Sequence, residues 1–406
     1  GFVEEFGNPR LFYSSRHRFR QAFVPDVAAQ QASARFALAE MLAMGVTTIV
    51  DLSHAYDGWL DLLDASGLRC WAAPMFRSAR WWTDTGQQTR YDWAEDLGAA
   101  AFEEAVAVMD AAEAHPSGRL AAVVSPAQVD TCTEDLLRAS AELARATGRP
   151  LHVHAAQSYA ELVNMTRRHD KTPISWLEDI GFLGPTTMLG HAVFTDQHPW
   201  LLWPERADVA RLARTGTTVA HCPTVFARDG TLMHDLGDYL RAGVRIAIGT
   251  DTHPHNPLEE IRWAEILARV AAGPRHRTDT AELFHAATVG GAHALGRDDI
   301  GRLAVGAKAD LVLCRLDHPQ MRPVYDPLRS LIYAAADRAV ADVWVDGERC
   351  VRGGEVLTID QRRAGDALQA AQERIAAQVP THDPEGADLA ALMPRALPPL
   401  GGSGLA

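Results

Sequence analysis

Four short apolar runs of this sequence end in groups that apolar strands rarely carry: His152-Val-His154, Gly190-His191, Ala220-His221 ahead of Cys-Pro, and Gly249-Thr-Asp251. His191 follows His154 by 37 residues, and Asp251 follows His191 by 60, the lengths of one and then two strand–helix units. Two imidazoles and a carboxylate at successive strand ends can converge on one point. Neutral imidazole and carboxylate suit Zn²⁺ or Fe²⁺, and three protein ligands with a water make a hydrolytic centre. Such a metal lowers the pKa of its water to about 7, and a carboxylate such as Asp251 can take the proton as attack begins. The chain has 17 histidines, so any one of them alone is more often a surface or packing residue. The metal reading rests on the three together, in order, at strand ends.

The elements that must position them alternate. Residues 28–44 read as a helix that stops at Gly45, and Val46–Asp51 follows as a buried strand. Short β-branched or apolar runs recur at Leu68–Ala73, Leu120–Ser125, Leu151–Ala155, Thr187–His191, Thr217–His221 and Val244–Thr250. Amphipathic helices such as Glu134–Thr147 and Ala207–Thr215 lie between them. Strands alternating with helices imply a parallel sheet. Seven strands without a Gly-rich dinucleotide fingerprint predict an α/β fold, a (β/α)8 TIM-type barrel lacking its first strand, with reactive groups at the carboxyl ends of the strands. Asn256-Pro257-Leu258-Glu259 predicts a helix start, with a cap, then Pro at the first position, then an acid in the first turn. After Leu295 the texture changes. Leu311–Arg315 and Asp342–Val351 alternate like half-buried antiparallel strands, with Asp346-Gly347 as a hairpin turn. Residues 361–378 read as helix, and the Pro/Gly/Ala-rich end as a surface tail. The expected division is a barrel over 1–298, a small β-sandwich portion over 299–360, and a C-terminal helix and tail over 361–406.

Composition narrows the function classes. Hydrophobic residues make up 47% and charged residues 22%, which excludes a disordered chain. A formal charge of −13 disfavours binding to phosphate backbones, so no nucleic-acid partner is expected. Cys70, Cys132, Cys222, Cys314 and Cys350 are odd in number and far apart, which fits a reducing compartment and a cytoplasmic location. No apolar run reaches the roughly 18 residues of a membrane helix, and no leader pattern is visible at Gly1.

Several stretches together resemble the metal-dependent amidohydrolase superfamily, the branch of cytosine and guanine deaminases and triazine hydrolases. They are Gly45–Asp51, His152–Ser158, Leu189–His191, Val219–Pro223, Gly249–Asp251, and above all Ala287–Gly296 followed by Ile300–Val312. The similarity spans about residues 30–360. It implies that His154 and His191 are metal ligands and that Asp251 is both ligand and catalytic base. It implies one divalent metal, Zn first and Fe second, and a small heterocyclic substrate.

Three departures qualify the resemblance. The family carries a His-x-His pair on its first barrel strand. Here none precedes residue 152, and His17 and His54 form no such pair. The expectation is a sequence that begins after that strand; the alternative is a natural loss of two ligands. Second, the family often has Glu three residues after the ligand matched by His154, and here stands Gln157, an amide with no titratable proton near pH 7. It is expected as a substrate clamp or as an orienting neighbour of His154. Third, the deaminases place a His where this chain has Ala127 and Gln128, so the substrate end of the pocket differs.

Further substrate contacts are expected from Gln128, from His221, from Trp81 and Trp82 stacking a flat ring, and from His253 in the loop after Asp251. Each also has an ordinary reading as rim packing or solvated surface. Arg77 and Arg228 read more simply as surface charges. The expected function is hydrolysis of a non-peptide C–N bond in a small cyclic amidine or amide. The alternatives are a non-catalytic relic that lost its metal pair, and a dechlorinase of a triazine-like ring. Oligomeric state is left open, a homo-oligomer included.

Overall fold

The computed structural model describes residues 21–83, 89–234, 236–275, 278–393 and 395. Ten strands belong to its first part: β1 (Thr48–Ser53), β2 (Arg69–Phe76), β3 (Ala79–Trp82), β4 (Arg90–Trp93), β5 (Leu120–Ala122), β6 (Ser125–Pro126), β7 (Leu151–Ala155), β8 (Thr187–His191), β9 (Thr218–His221) and β10 (Arg245–Ile248). Parallel pairing runs β1–β2–β5 in one sheet and β7–β8–β9–β10 in another, and β6 continues the β5 run beside β2. Parallel bridges Val124↔Leu151 and Gln128↔His154 join the two sheets. The strands thus follow one another in chain order, unlike a doubly wound sheet, whose order reverses. Among the described residues, no strand pairs with the outer edge of β1 or of β10. His17 and the start at Gly1 lie outside the described residues.

The local reasons follow the sequence. Every residue of β7 and β8 is buried, as an apolar run in a sheet covered on both faces requires. Helix Glu134–Thr147 begins at Thr133, whose hydroxyl accepts from Leu136 N, and ends at Gly148 with φ +75°. Helix Pro257–Ala272 starts as its sequence predicts, with the Asn256 side chain accepting from Glu259 N. Among the described residues, no helix is long and apolar enough to cross a membrane.

The stretch around Trp81 and Trp82 differs from expectation. The two residues are expected only as ring-stacking contacts, but they lie on β3, which pairs antiparallel with β4, with Trp81 opposite Tyr91 and Ala79 opposite Trp93. Cross-strand aromatic pairs stabilise such a ribbon, and their partners lie too far along the chain to be read as one hairpin.

The Ala287–Gly296 stretch has a physical role. Its segment Ala286–Gly290 packs on β10, and a Cβ on Gly290 would stand 2.4 Å from the Ile246 carbonyl oxygen. Only glycine permits that approach. Gly290→Ala is expected to lower stability by roughly 1–3 kcal/mol, the usual range for overpacking a filled interior. Urea unfolding checks this; a midpoint unchanged from wild type would mean that the helix does not press on β10.

Four antiparallel strands follow in order: β11 (Leu311–Cys314), β12 (Val340–Val345), β13 (Glu348–Arg352) and β14 (Glu355–Val356). Asp346 and Gly347 turn between β12 and β13 with φ +52° and +87°, the left-handed pair a tight hairpin needs. This sheet shares its core with the first strands. Leu38, Leu42, Leu68 and Cys70 pack with Val343, Val345, Cys350 and Val351. Arg69 of β2 also pairs with Asp310 at 3.1 Å, both side chains buried. Helix Gln361–His382 packs along helix Val27–Ala43 and extends beyond the expected 378.

Candidate active site

The carboxyl ends of β7 to β10 deliver His154, His191, His221 and, just past β10, Asp251, while His152 lies near the amino end of β7. His152 and His154 share one face of β7, and their rings meet edge to face at 4.7 Å. The His154 ring lies 5.3 Å from that of His191, centroid to centroid. His191 Nε2 stands 3.8 Å from Asp251 Oδ2. His154 Nδ1 donates to the Ala127 carbonyl at 2.6 Å, which places the proton on Nδ1 and the lone pair on Nε2. His191 Nδ1 and His221 Nδ1 are buried without a hydrogen-bond partner. Among the described residues, no group of three or more His, Cys, Asp or Glu side chains is spaced so that it could hold a metal ion as it stands.

Gly190 is the floor under the imidazoles. A Cβ there would meet His154 Cδ2 at 2.9 Å and His152 Nε2 at 3.1 Å. The backbone at three strand ends is also unusual: His191 has φ +89°, Asp251 +59° and Ala156 +53°. Left-handed residues other than glycine each cost of the order of 1–3 kcal/mol and cluster at functional sites. Two of these three are residues that the sequence singles out for chemistry.

Burial keeps the imidazoles neutral. It lowers His152 well below the ordinary histidine value, His191 to about 4 and His221 to about 3. The neighbouring Asp251 carboxylate offsets part of the effect at His191. Neutral imidazole is the form that donates a lone pair to a metal. At His221 the folded value lies below the unfolded one, so its contribution is present above the unfolded pKa of about 6.5 and is lost as pH falls. Between pH 7 and 5 this amounts to roughly 2 kcal/mol. His221→Asn should therefore lose about that much less stability than wild type over the interval, read by urea denaturation at both pH values. Equal losses in the two proteins would show that His221 does not titrate there.

The other expected contacts have definite positions. Gln128 bridges to His154 through the backbone, and its Oε1 accepts from the Thr131 hydroxyl at 3.0 Å. Gln157 follows the left-handed Ala156, and its Nε2 is buried without a well-formed hydrogen bond. Trp81 Nε1 donates to Asp130 Oδ2 at 3.1 Å, and the Arg90 guanidinium lies 5.3 Å over the Trp82 ring. His253 Nδ1 meets Glu40 Oε2 at 3.2 Å, so a carboxylate of helix Val27–Ala43 holds the loop that carries Asp251. Arg228 donates to Thr252 Oγ1 at 2.7 Å, in the same loop. His54 lies against the Met75 carbonyl at 3.1 Å.

Sequence reading passed over four buried carboxyls around this site. Asp130, Glu161, Glu40 and Glu260 are each under a tenth exposed. Burial raises Glu260 to about 7, and its carboxyl accepts from Thr224 N at 3.0 Å. On helices, acidic residues read as solvated. The one legible signal was Ser158-x-x-Glu161, a capping box at the start of helix Tyr159–His169.

The profile of the amidohydrolase family matches residues 12–350. The chain is 30% identical over 347 residues to a 5-methylthioadenosine/S-adenosylhomocysteine deaminase of Halobacterium salinarum, covering 84% of this chain and 75% of that protein. It is 28% identical over 343 residues to a 5′-deoxyadenosine deaminase of Methanosarcina acetivorans, covering 84% and 74%. Among solved structures, it is similar to an adenosine deaminase of Xanthomonas campestris with bound zinc, at TM-score 0.77 and 24% identity over 92% of this chain and 81% of that one. It is also similar to an atrazine chlorohydrolase of Arthrobacter aurescens complexed with zinc, at TM-score 0.71 and 25% identity over 85% and 77%.

Proposed function

We propose that this chain, which belongs to the amidohydrolase family, is a metal-dependent deaminase of an adenine-type nucleoside. The single observation that carries this reading is the approach of the buried, neutral His191 to Asp251 at 3.8 Å, beside His154 at the ends of consecutive parallel strands. The substrate class is supported by the deaminases of 5′-deoxyadenosine and 5-methylthioadenosine to which the chain is similar. The strand order supports a (β/α)8 barrel whose remaining strand would stand between β1 and β10.

His154, His191 and Asp251 would hold one divalent ion, zinc as in the similar solved structures. The chemistry of the donors suits it: His154 has its lone pair on Nε2, and His191 is a buried imidazole, neutral at pH 7, whose Nε2 faces Asp251. When bound, the ion supplies Lewis acidity and makes water acidic enough to give hydroxide near neutral pH. Asp251 takes the proton of the attacking water and delivers it to the departing amino nitrogen. Gln157 binds the heterocycle by hydrogen bonds, because its amide cannot carry a proton at neutral pH. His221 and Gln128 complete the polar contacts to substrate, and Trp82 offers a ring face.

A second reading, release of chloride from a triazine-like ring, is favoured by Gln157 alone, since a shuttle for protonating the ring is missing from that position. Incubation of the protein with 5′-deoxyadenosine, 5-methylthioadenosine and a chlorotriazine separates the two. Ammonia released from the purine nucleosides supports the proposal. Chloride release without ammonia, or no reaction of any of the three, overturns it.

A further inference from the structure

We propose that Glu161 is a positioning residue that sets the Gln157 amide toward the heterocycle, an inference that rests on the hydrolytic reading of the site above. Its carboxyl spans two consecutive backbone donors. Ala156 N donates to Glu161 Oε1 at 2.5 Å, and Gln157 N donates to Oε2 at 3.1 Å. The turn between them and His154 holds Ala156 at φ +53°, a conformation an alanine does not keep unaided. Both amides aim at one carboxyl, so the turn is held where Ala156 would otherwise relax. In an ordinary capping box the acid reaches back to the cap residue's own N–H. Here Ser158 Oγ caps Glu161 N at 3.1 Å, but the carboxyl reaches one and two residues further, onto the turn itself.

Two more observations point from this turn to a ligand. Gln157 Nε2 is buried without a well-formed hydrogen bond, although the side chain lies beside the Glu161 carboxyl. An amide held no more closely than that by the carboxyl can turn its donor to a ring nitrogen or ring carbonyl. The turn is also tied to the candidate ligand strand: Ala192 N donates to Ala155 O at 3.1 Å and Phe194 N to Ala156 O at 2.7 Å. Asp130, a second buried carboxyl near Glu161, anchors the β3–β4 hairpin through Tyr91 OH at 2.6 Å and Trp81 Nε1 at 3.1 Å. Burial pushes Glu161 well above the ordinary carboxylate range, and the charge of Asp130 adds to that push.

The test is a double-mutant cycle with Glu161→Gln and Gln157→Ala in the full chain, using an adenine nucleoside that the protein turns over. Misplacing a substrate-positioning group typically costs 10- to 100-fold in rate. The expected result is a loss of roughly that size in kcat/KM for Glu161→Gln, with metal content unchanged, shrinking to less than about twofold in the Gln157→Ala background. A loss of the same size in both backgrounds would show that Glu161 does not act through Gln157, and the proposal fails. Glu161→Asp, which keeps the carboxyl group but shortens the reach, should recover only part of the rate. Full recovery with Asp would contradict a role that depends on spanning both amides. Amide exchange at Ala156 and Gln157 needs no substrate and separates this proposal from the functional one. Faster exchange at both positions in folded Glu161→Gln supports the clamp even if no nucleoside reacts. Unchanged exchange overturns it whatever the activity.

Discussion

Replacing Asp251 with Asn is expected to lower kcat by roughly 10²- to 10⁴-fold, the usual consequence of losing a general base, with bound metal staying near the wild-type level. The shape of the side chain is kept, and the amide oxygen can still face a cation. What disappears is the capacity to accept a proton. Asp251 is the residue on which this should show, because it is the carboxylate that approaches His191, at 3.8 Å, from a left-handed backbone position just past β10. Steady-state kinetics with elemental analysis of the same samples checks it. Near-full kcat with metal bound would remove Asp251 from the base role. Loss of metal along with rate would leave it a ligand only.

The second large effect is expected at the imidazoles. His191→Ala and His154→Ala should each reduce metal affinity by more than the roughly 10- to 100-fold that outer-shell changes cause, and activity should fall with it. Both side chains are buried, His191 with an unpartnered nitrogen and His154 with its tautomer set by the Ala127 carbonyl. Gly190→Ala should have a smaller effect in the same direction, because its methyl group would press on His154 and His152. Metal content per chain after gel filtration is the direct measurement. Wild-type metal in either histidine variant would exclude that residue as a ligand.

Much of the arrangement was legible because strand ends are marked by composition. An apolar run that finishes in His or Asp is a conflict between local burial and polarity, and such conflicts concentrate at functional sites. His154, His191 and Asp251 stood out for that reason. The helix starts at Thr133 and Asn256 were readable because capping is a local contact within four residues. The β3–β4 hairpin was not readable, because its cross-strand aromatic pairing depends on residues separated by an unpatterned stretch. The buried carboxyls were missed for a related reason. Glu40 and His253 are distant in sequence, and so are Asp130 and Tyr91, so nothing local distinguishes these acids from solvated ones. The hydrogen bond from the Trp81 indole N–H to Asp130, which fixes the ring expected to stack a substrate, also needed the fold.

Metal-dependent removal of an amino group is tested most directly by one titration. The full chain is stripped with a chelator, then ammonia release from 5′-deoxyadenosine is followed as zinc is returned. The account predicts no release without metal and a rise that saturates near one zinc per chain. Equal ammonia release from stripped and reloaded protein, or none at any zinc concentration, would contradict it.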